Sequence, residues 1–350
     1  MTQSLLIPTP KRPWEARPVD HLLTFFVLML GALLTYVIVE MTPLKGKLAY
    51  FILYFILTPG LIFLRELRKT DLPGAKDTLL SSFSFLGIIL TLIPIGSILY
   101  TVFSKGIKGL HSQILTKDMA LASVNDPLEA GGLSHALVGT VILVGGALLL
   151  SFPIGLLTGL YLTEIRGRMT RPIRFLVQAM SGVPSIVAGL FILSAIIYPI
   201  TQSLSGFMGS LALSILMIPT IARTAEEVLL LIPNELREAG VALGATQWRT
   251  VAMVVVPAAK SGLVTAIILG VARIVGETAP ILLVTGGGDS LNLNPFSGAM
   301  GSLPFYIWKS FLTGGTEVAA ARAWAGMMIL LTFIFILFGL ARYFGGRKGK

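Results

Sequence analysis

Residues 136–163 read ALVGTVILVGGALLLSFPIGLLTGLYLT, a run without one charged side chain. A helix needs about 20 predominantly apolar residues to cross the hydrocarbon of a bilayer, and this run exceeds that length. It is too long for a barrel strand and lacks the polar–apolar alternation that a barrel wall requires. Outward from it, comparable runs lie at 22–39, 48–64, 79–103, 173–198, 207–222 (extensible to 232), 259–285 and 323–344. The expected fold class is therefore all-α: a polytopic membrane protein with about eight transmembrane helices. The first run follows a polar leader, and Glu40 to Pro43 is a poor small-residue cleavage site, so it reads as a span and not as a cleaved signal.

Composition agrees. Of 350 residues, 54% are hydrophobic and 13% charged, with no cysteine; a soluble chain carries roughly 25% charged residues. Disordered, collagen-like and disulfide-stapled classes are excluded. The net charge of +10 has to be read by position, because basic residues also set membrane topology. With a cytoplasmic N-terminus, the inside segments collect Lys11, Arg12, Arg17, Arg65, Arg68, Lys69, Lys76, Arg166, Arg168, Arg171 and Arg174. They also collect Arg223, Arg237, Arg249, Lys260, Arg342, Arg347, Lys348 and Lys350. Outside lie Lys45, Lys47, Lys105, Lys108, Lys117, Lys309 and Arg322. Nineteen against seven is the positive-inside bias with both termini cytoplasmic, and no nucleic-acid partner is needed to explain the charge. Arg273 alone falls inside a span.

The segments 104–135 and 286–322 read as the larger external loops, rich in turn residues such as Asn125-Asp126-Pro127 and Gly286-Gly287-Gly288-Asp289. There is no G-x-x-x-x-G-K-[ST] phosphate loop, so ATP is not bound in that manner. Three scattered histidines, His21, His111 and His135, and no cysteine argue against a metal or haem site. Energy for any transport must come from an ion gradient or from another polypeptide.

The inside loop beginning Ile232-Pro233-Asn234-Glu235-Leu236-Arg237 is the most patterned stretch. Asn234 after Pro233 reads as an N-cap, with Glu235 and Glu238 in the first turn, where the helix dipole favours negative charge. Leu236, Ala239, Gly240 and Leu243 fall on one small apolar face. Gly244 supplies a left-handed stop, and Thr246 caps a second short helix expected to end before Pro257. The product is a surface helix-turn-helix with too few basic residues to read DNA. Two readings stay open on the physics alone: an interfacial hairpin without a partner, or an element docked in a groove of another protein.

The same residues carry a resemblance. Permeases of ABC importers have a cytoplasmic Glu-Ala-Ala loop of the form E-A-A-x3-G-x9-I-x-L-P. This chain is similar, with Glu238-Ala239-Gly240, Gly244, and then Val254-x-Val256-Pro257 at the same spacing. The departures are Gly for the second Ala and Val for the aliphatics. Pro184 to Phe191, Arg223-Thr224-Ala225-Glu226, Leu236 to Ala239, Ala272 to Pro280 and Ala323 to Gly326 further resemble the PstA-type permeases of bacterial phosphate importers. The Gly276-Glu277-Thr278-Ala279-Pro280 ending sets them apart from PstC-type sisters. The resemblance covers about 79–345, a six-span permease domain, and leaves 1–78 as an N-terminal extension with two spans.

What the resemblance implies is a transport subunit and not an enzyme, with phosphate as substrate and 233–257 as the loop seated in the ATPase. The implied partners are a PstC-type sister permease, a cytoplasmic PstB-type ATPase dimer holding ATP and Mg, a periplasmic phosphate-binding protein and the bilayer of the inner membrane. No cofactor or metal is implied on this chain. The alternatives are an ion-coupled secondary anion transporter, or an ABC permease for sulfate or molybdate.

Arg273 and Glu277 stand at i and i+4 about halfway along 259–285 and are expected to pair on one helix face. An arginine facing lipid at mid-bilayer costs a few kcal/mol or more, so the pair should face the bundle or water. A guanidinium offers a planar fork of donors suited to an oxyanion. Arg273 is thus an expected transient anion contact with Glu277 as tether, and Arg223 with Glu226 repeats the theme at i, i+3. Pro153, Pro184, Pro219 and Pro280 are expected to interrupt their spans, and Gly155-x3-Gly159 permits a close helix contact.

Overall fold

The computed structural model describes residues 18–43, 46–69 and 71–346. Among the topology charges, Lys11, Arg12, Arg17, Lys45, Arg347, Lys348 and Lys350 lie outside the described residues, as does the side chain of His21. The chain forms two compact units, 1–99 and 100–350, with the boundary inside a helix.

The first unit holds α1 (Pro18–Met41), α2 (Lys47–Lys69) and most of α3 (Leu72–Gly106). Helices α1 and α2 pack antiparallel, with Tyr50 Oη donating to Glu40 (2.7 Å) at one end and Arg65 Nη1 donating to Thr24 (3.0 Å) at the other. Between them Gly31 lies under Thr58, where a Cβ would come within 2.8 Å of Thr58 Oγ1.

The second unit contains α4 (Ser134–Leu160), closed by a π turn at Tyr161–Ile165, then α5 (Thr170–Ser181) and α6 (Ser185–Ile192), extended by a π segment to Thr201. There follow α7 (Gly206–Leu230), α8 (Asn234–Ala242) and α9 (Gln247–Thr250). A second π turn at Val251–Val255 leads into α10 (Val256–Ala258), and then come α11 (Lys260–Val275), α12 (Ala279–Val284), α13 (Leu303–Thr313) and α14 (Glu317–Gly346). Among the described residues of the two units together, six helices are long and apolar enough to span a membrane, or eight if each of two bent pairs counts as one.

The centre of this unit is the seam between α4 and α7, and small residues make it. A Cβ on Gly155 would lie 2.7 Å from Ile221 Cγ2, and one on Gly159 would lie 2.9 Å from Ala225 Cβ. The expected Gly155-x3-Gly159 contact is thus present. Ser151 and Ser210 donate across the seam to the carbonyls of Ser214 (3.3 Å) and Leu143 (3.2 Å), so hydroxyls in an apolar interior find acceptors. Leu143, Leu213, Leu216, Met217, Ile221 and Ile274 form the core around it.

Two expected spans are broken. Residues 173–198 are divided between α5 and α6, which meet at 104°. The 259–285 run is α11, a gap at 276–278, and α12; α11 in turn leaves the preceding helical segment at 72°. Of the four prolines, only Pro184 and Pro280 sit at breaks, Pro184 as the residue before α6 and Pro280 in the first turn of α12, where no N–H is missed. Pro153 and Pro219 lie inside continuous helices, contrary to expectation.

The expected external loops are more structured than a string of turns. Segment 303–313 is helical, and its start is pinned where Leu303 N donates to Thr140 Oγ1 (2.8 Å). Asp118 accepts from the backbone N–H groups of Leu291 (3.0 Å) and Ala120 (3.2 Å), and the Leu291 bond foremost holds its carboxyl below the ordinary pKa. Arg322, expected as a topology charge, is 2% exposed and donates to the carbonyls of Asp126 (3.1 Å) and Pro127 (2.6 Å). Carbonyl acceptors and not a carboxylate hold this cation.

Replacing Gly155 with Leu should lower stability by roughly 1–3 kcal/mol through overpacking of the seam. Gly145, which has nothing within 4 Å of its Cβ position, supplies the control. Thermal unfolding of the detergent-purified protein should show a lower Tm for Gly155→Leu and little change for Gly145→Leu; equal Tm values would mean that the seam is not the tight contact described.

Candidate functional site

The loop after α7 is built by local chemistry. Gly244 takes φ +82 and ends α8, with Gly244 N donating to Val241 O (2.9 Å) and Ala245 N to Gly240 O (3.2 Å). Thr246 caps the next helix by accepting from Arg249 N (3.4 Å), as expected. Asn234 is not the cap. Pro233 takes that position, because its fixed backbone precedes the first helical residue, and Asn234 Oδ1 instead accepts from Arg237 Nη1 (3.4 Å). Nor does the second helix end before Pro257. It winds through the π turn and past Pro257 to Ala258, with Val256 N donating back five residues to Val251 O just ahead of the proline. Pro257 is exposed.

The single apolar face expected for α8 divides. Gly240 is buried against Thr250, whose Cγ2 would lie 2.6 Å from an added Cβ. Leu236, Ala239 and Leu243 are exposed, Leu243 at 89%. Glu238 is also exposed, and Trp248 and Met253 present further bare apolar surface nearby in the chain. The loop thus offers an acidic and apolar outer surface fixed on a glycine-sized contact.

Sequence reading missed the residue that holds this loop. Arg237, counted only as a topology charge, makes a two-pronged bond to Glu164 at the end of α4, with Nε–Oε2 at 3.0 Å and Nη2–Oε1 at 2.8 Å. It also donates to the carbonyls of Ile232 (2.6 Å) and Leu229 (2.9 Å). The side chains are 19% and 7% exposed. Donating to the Glu164 carboxylate raises the Arg237 pKa above its ordinary value. Gln247 Nε2 donates to the Glu164 carbonyl at 2.8 Å. A cavity of about 810 Å³ opens beside the pair, bordered by Glu164, Arg166, Glu238 and Val241. The available signal was Glu164 itself, the first acid after a long uncharged run and just ahead of Arg166 and Arg168.

The expected charged pairs re-form with other partners or not at all. Glu226 binds Arg174 of α5, with Nη2 at 2.6 Å and Nε at 3.1 Å, and not Arg223. Arg174, Gln178, Arg223, Glu226 and Glu227 line a cleft of about 160 Å³ in which Arg223 remains exposed. Arg273 and Glu277 are not joined by an ion pair among the described residues. Helix α11 stops at Val275 with Gly276 as its cap, so i, i+4 no longer means one face. Arg273 is exposed in the last turn, and Glu277 is half-buried in the break. Helices α6 and α12 meet closely, a Cβ on Gly189 falling 2.7 Å from Pro280 Cα. Among the described residues no cluster of acids and histidines could hold a metal ion. Arg273 thus presents an exposed guanidinium in the last turn before the break, with no ion pair among the described residues.

Gly240→Leu should force Thr250 aside and loosen α8, raising amide exchange in 234–242 about tenfold or more. Unchanged exchange would show that the glycine contact does not hold the loop.

Residues 151–350 match the family described as binding-protein-dependent transport system inner membrane component. The phosphate transport system permease protein PstA 1 of Mycobacterium tuberculosis (strain ATCC 25618 / H37Rv) is 40% identical over 261 residues, covering 74% of this chain and 84% of the relative. The phosphate transport system permease protein PstA of Haemophilus influenzae (strain ATCC 51907 / DSM 11121 / KW20 / Rd) is 37% identical over 283 residues, or 80% and 96% of the two chains. Among solved structures, inward-facing conformations of the MetNI methionine ABC transporter align with a TM-score of 0.48 at 24% identity, covering 61% of this chain and 93% of that one.

Proposed function

We propose, from the premise that this chain belongs to the binding-protein-dependent transport inner-membrane permease family, that it forms part of the translocation path of an ATP-driven phosphate importer. The observation that carries this reading is the α8–Gly244–α9 loop. It is held to α4 and α7 from within while Glu238, Leu243 and Trp248 stay exposed. A carrier driven by an ion gradient has no evident use for such a surface, whereas a subunit moved by a separate ATPase needs one. Family membership likewise favours the importer over a secondary anion transporter.

In this reading both termini and the 233–257 loop face the cytoplasm, where an ATPase dimer binds ATP and Mg. A binding protein delivers the anion on the opposite side, to the surface built from 104–135 and 286–322. A sister permease completes the path. Arg273 contacts the passing anion beside the broken span, with Glu277 in the break limiting how tightly it is held, because conduction requires release. Arg223, in the cleft with the Arg174–Glu226 pair, meets the anion at the other end of the path. The chain itself makes and breaks no covalent bond.

The test is reconstitution of the assembled complex in vesicles. Phosphate uptake should require ATP and the binding protein. Glu238→Ala and Gly244→Val should leave hydrolysis and uptake uncoupled, and Arg273→Gln should lower uptake about tenfold or more by removing a charge-assisted bond. Uptake that persists without ATP or the ATPase would sink the proposal.

A further inference from the structure

Helix α8 has nine residues, too few to be stable alone in water. Only Gly240 among them is buried, so a hydrophobic core does not hold it. Its fixed attachments are the Gly240–Thr250 contact and the guanidinium of Arg237. That one side chain reaches three chain segments: Glu164 at the end of α4, the Leu229 carbonyl at the end of α7, and the Ile232 carbonyl in the link between α7 and α8.

We propose that the Glu164–Arg237 pair is the strut through which movement of α8 reaches the α4–α7 seam. This rests on the reading of the loop as the element that an ATPase moves. Four features make the pair suited to that task. The bond is two-pronged, so it resists rotation as well as separation. Both side chains are largely shielded from water, with Glu164 at 7% exposure, so solvent does not compete for the contact. Glu164 sits on a π turn, and two residues on Arg166 takes a left-handed φ of 49 that a residue with a Cβ seldom adopts. This departure from regular winding is where the carboxylate meets α8. Finally, the seam beyond it has no slack, since Gly155 and Gly159 touch Ile221 and Ala225; a displacement at Glu164 moves both helices together.

Shielded ion pairs are poor sources of net stability, and apolar residues often serve as well. Directional transmission explains why a charged pair stands here. The two are positioning residues; neither touches the transported anion.

The full complex reconstituted in proteoliposomes tests this, with phosphate uptake and ATP hydrolysis read on one preparation. Glu164→Gln and Arg237→Gln should each leave hydrolysis within about twofold of wild type while uptake falls about tenfold, the size of an ordinary coupling between sites. Arg237→Lys, which cannot bridge both oxygens, should lie between. The reversed pair, Glu164→Arg with Arg237→Glu, should recover part of the uptake. The chain has no cysteine, so spin labels at Glu235→Cys and Leu157→Cys supply a second readout. Their separation should hold through the ATP cycle in the otherwise unaltered chain and change in Arg237→Gln. Uptake unchanged in both single variants, uptake and hydrolysis falling together, or label separations that respond alike would each overturn the strut. If the unaltered complex fails to import phosphate with ATP, the importer reading falls and takes the strut with it. If that complex imports normally, a negative variant result removes the strut alone.

Discussion

Close contact between α4 and α7 is the constraint on which the second unit depends. In a bilayer there is little hydrophobic gain in bringing two apolar helices together, so association relies on dense packing and shared hydrogen bonds. Gly155 and Gly159 admit Ile221 and Ala225 to a distance no larger residue allows, and the Ser151 and Ser210 hydroxyls bond across the same surface. Several other elements of this unit are placed against that pair. The loop 232–258 hangs from one end through Leu160, Ala225, Leu229, Val251 and Val255. The segment around Leu303 is pinned to Thr140 near the other end of α4, and the broken spans pack on the core at Ala188, Ile274 and Ile281.

Around this rigid pair the charged residues divide into those that fasten and those that stay free. Arg237 is held by Glu164 and by backbone carbonyls, Arg322 donates from Nη2 to the carbonyls of Asp126 and Pro127, and both are mostly or wholly withdrawn from water. Arg223 and Arg273 are exposed. The division is one of availability: a guanidinium engaged in internal bonds fixes the fold, whereas an exposed one keeps its donors open to a solute.

Legibility in the sequence followed the range of each interaction. The spans were readable because the bilayer acts on every residue of a run, and Gly244 and Thr246 because a left-handed stop and a helix cap are settled within a few residues. The same local logic failed at Asn234, where Pro233 competed for the capping position. It failed at Arg273 and Glu277 because i, i+4 spacing implies a shared face only inside an unbroken helix, and Gly276 ends that helix. Glu226 chose Arg174, 52 residues away in the chain, over Arg223 three residues away; Arg237 found Glu164 at a separation of 73. No spacing rule on one sequence reaches partners so distant, and both arginines had already been given a sufficient role as topology charges.

The gap at 276–278 bears on electrostatics as well as on shape. A continuous helix bonds its own peptide groups and presents a doubly charged ion with the full low-permittivity slab, about 30 Å of hydrocarbon. Where winding stops between α11 and α12, the regular ladder gives way to a short turn in which Glu277 N donates to Ile274 O (3.1 Å), and the carbonyls no longer line up along one axis. The bend between α5 and α6 likewise interrupts the ladder at 182–184, where Gly182 N and Val183 N turn back to Ala179 O (3.1 Å) and Met180 O (3.2 Å). The self-energy of an ion depends on the thickness of poorly polarisable material around it. On the path proposed above, two broken spans would thin the dielectric barrier from within, lowering the cost of passage for an anion before any single side chain touches it.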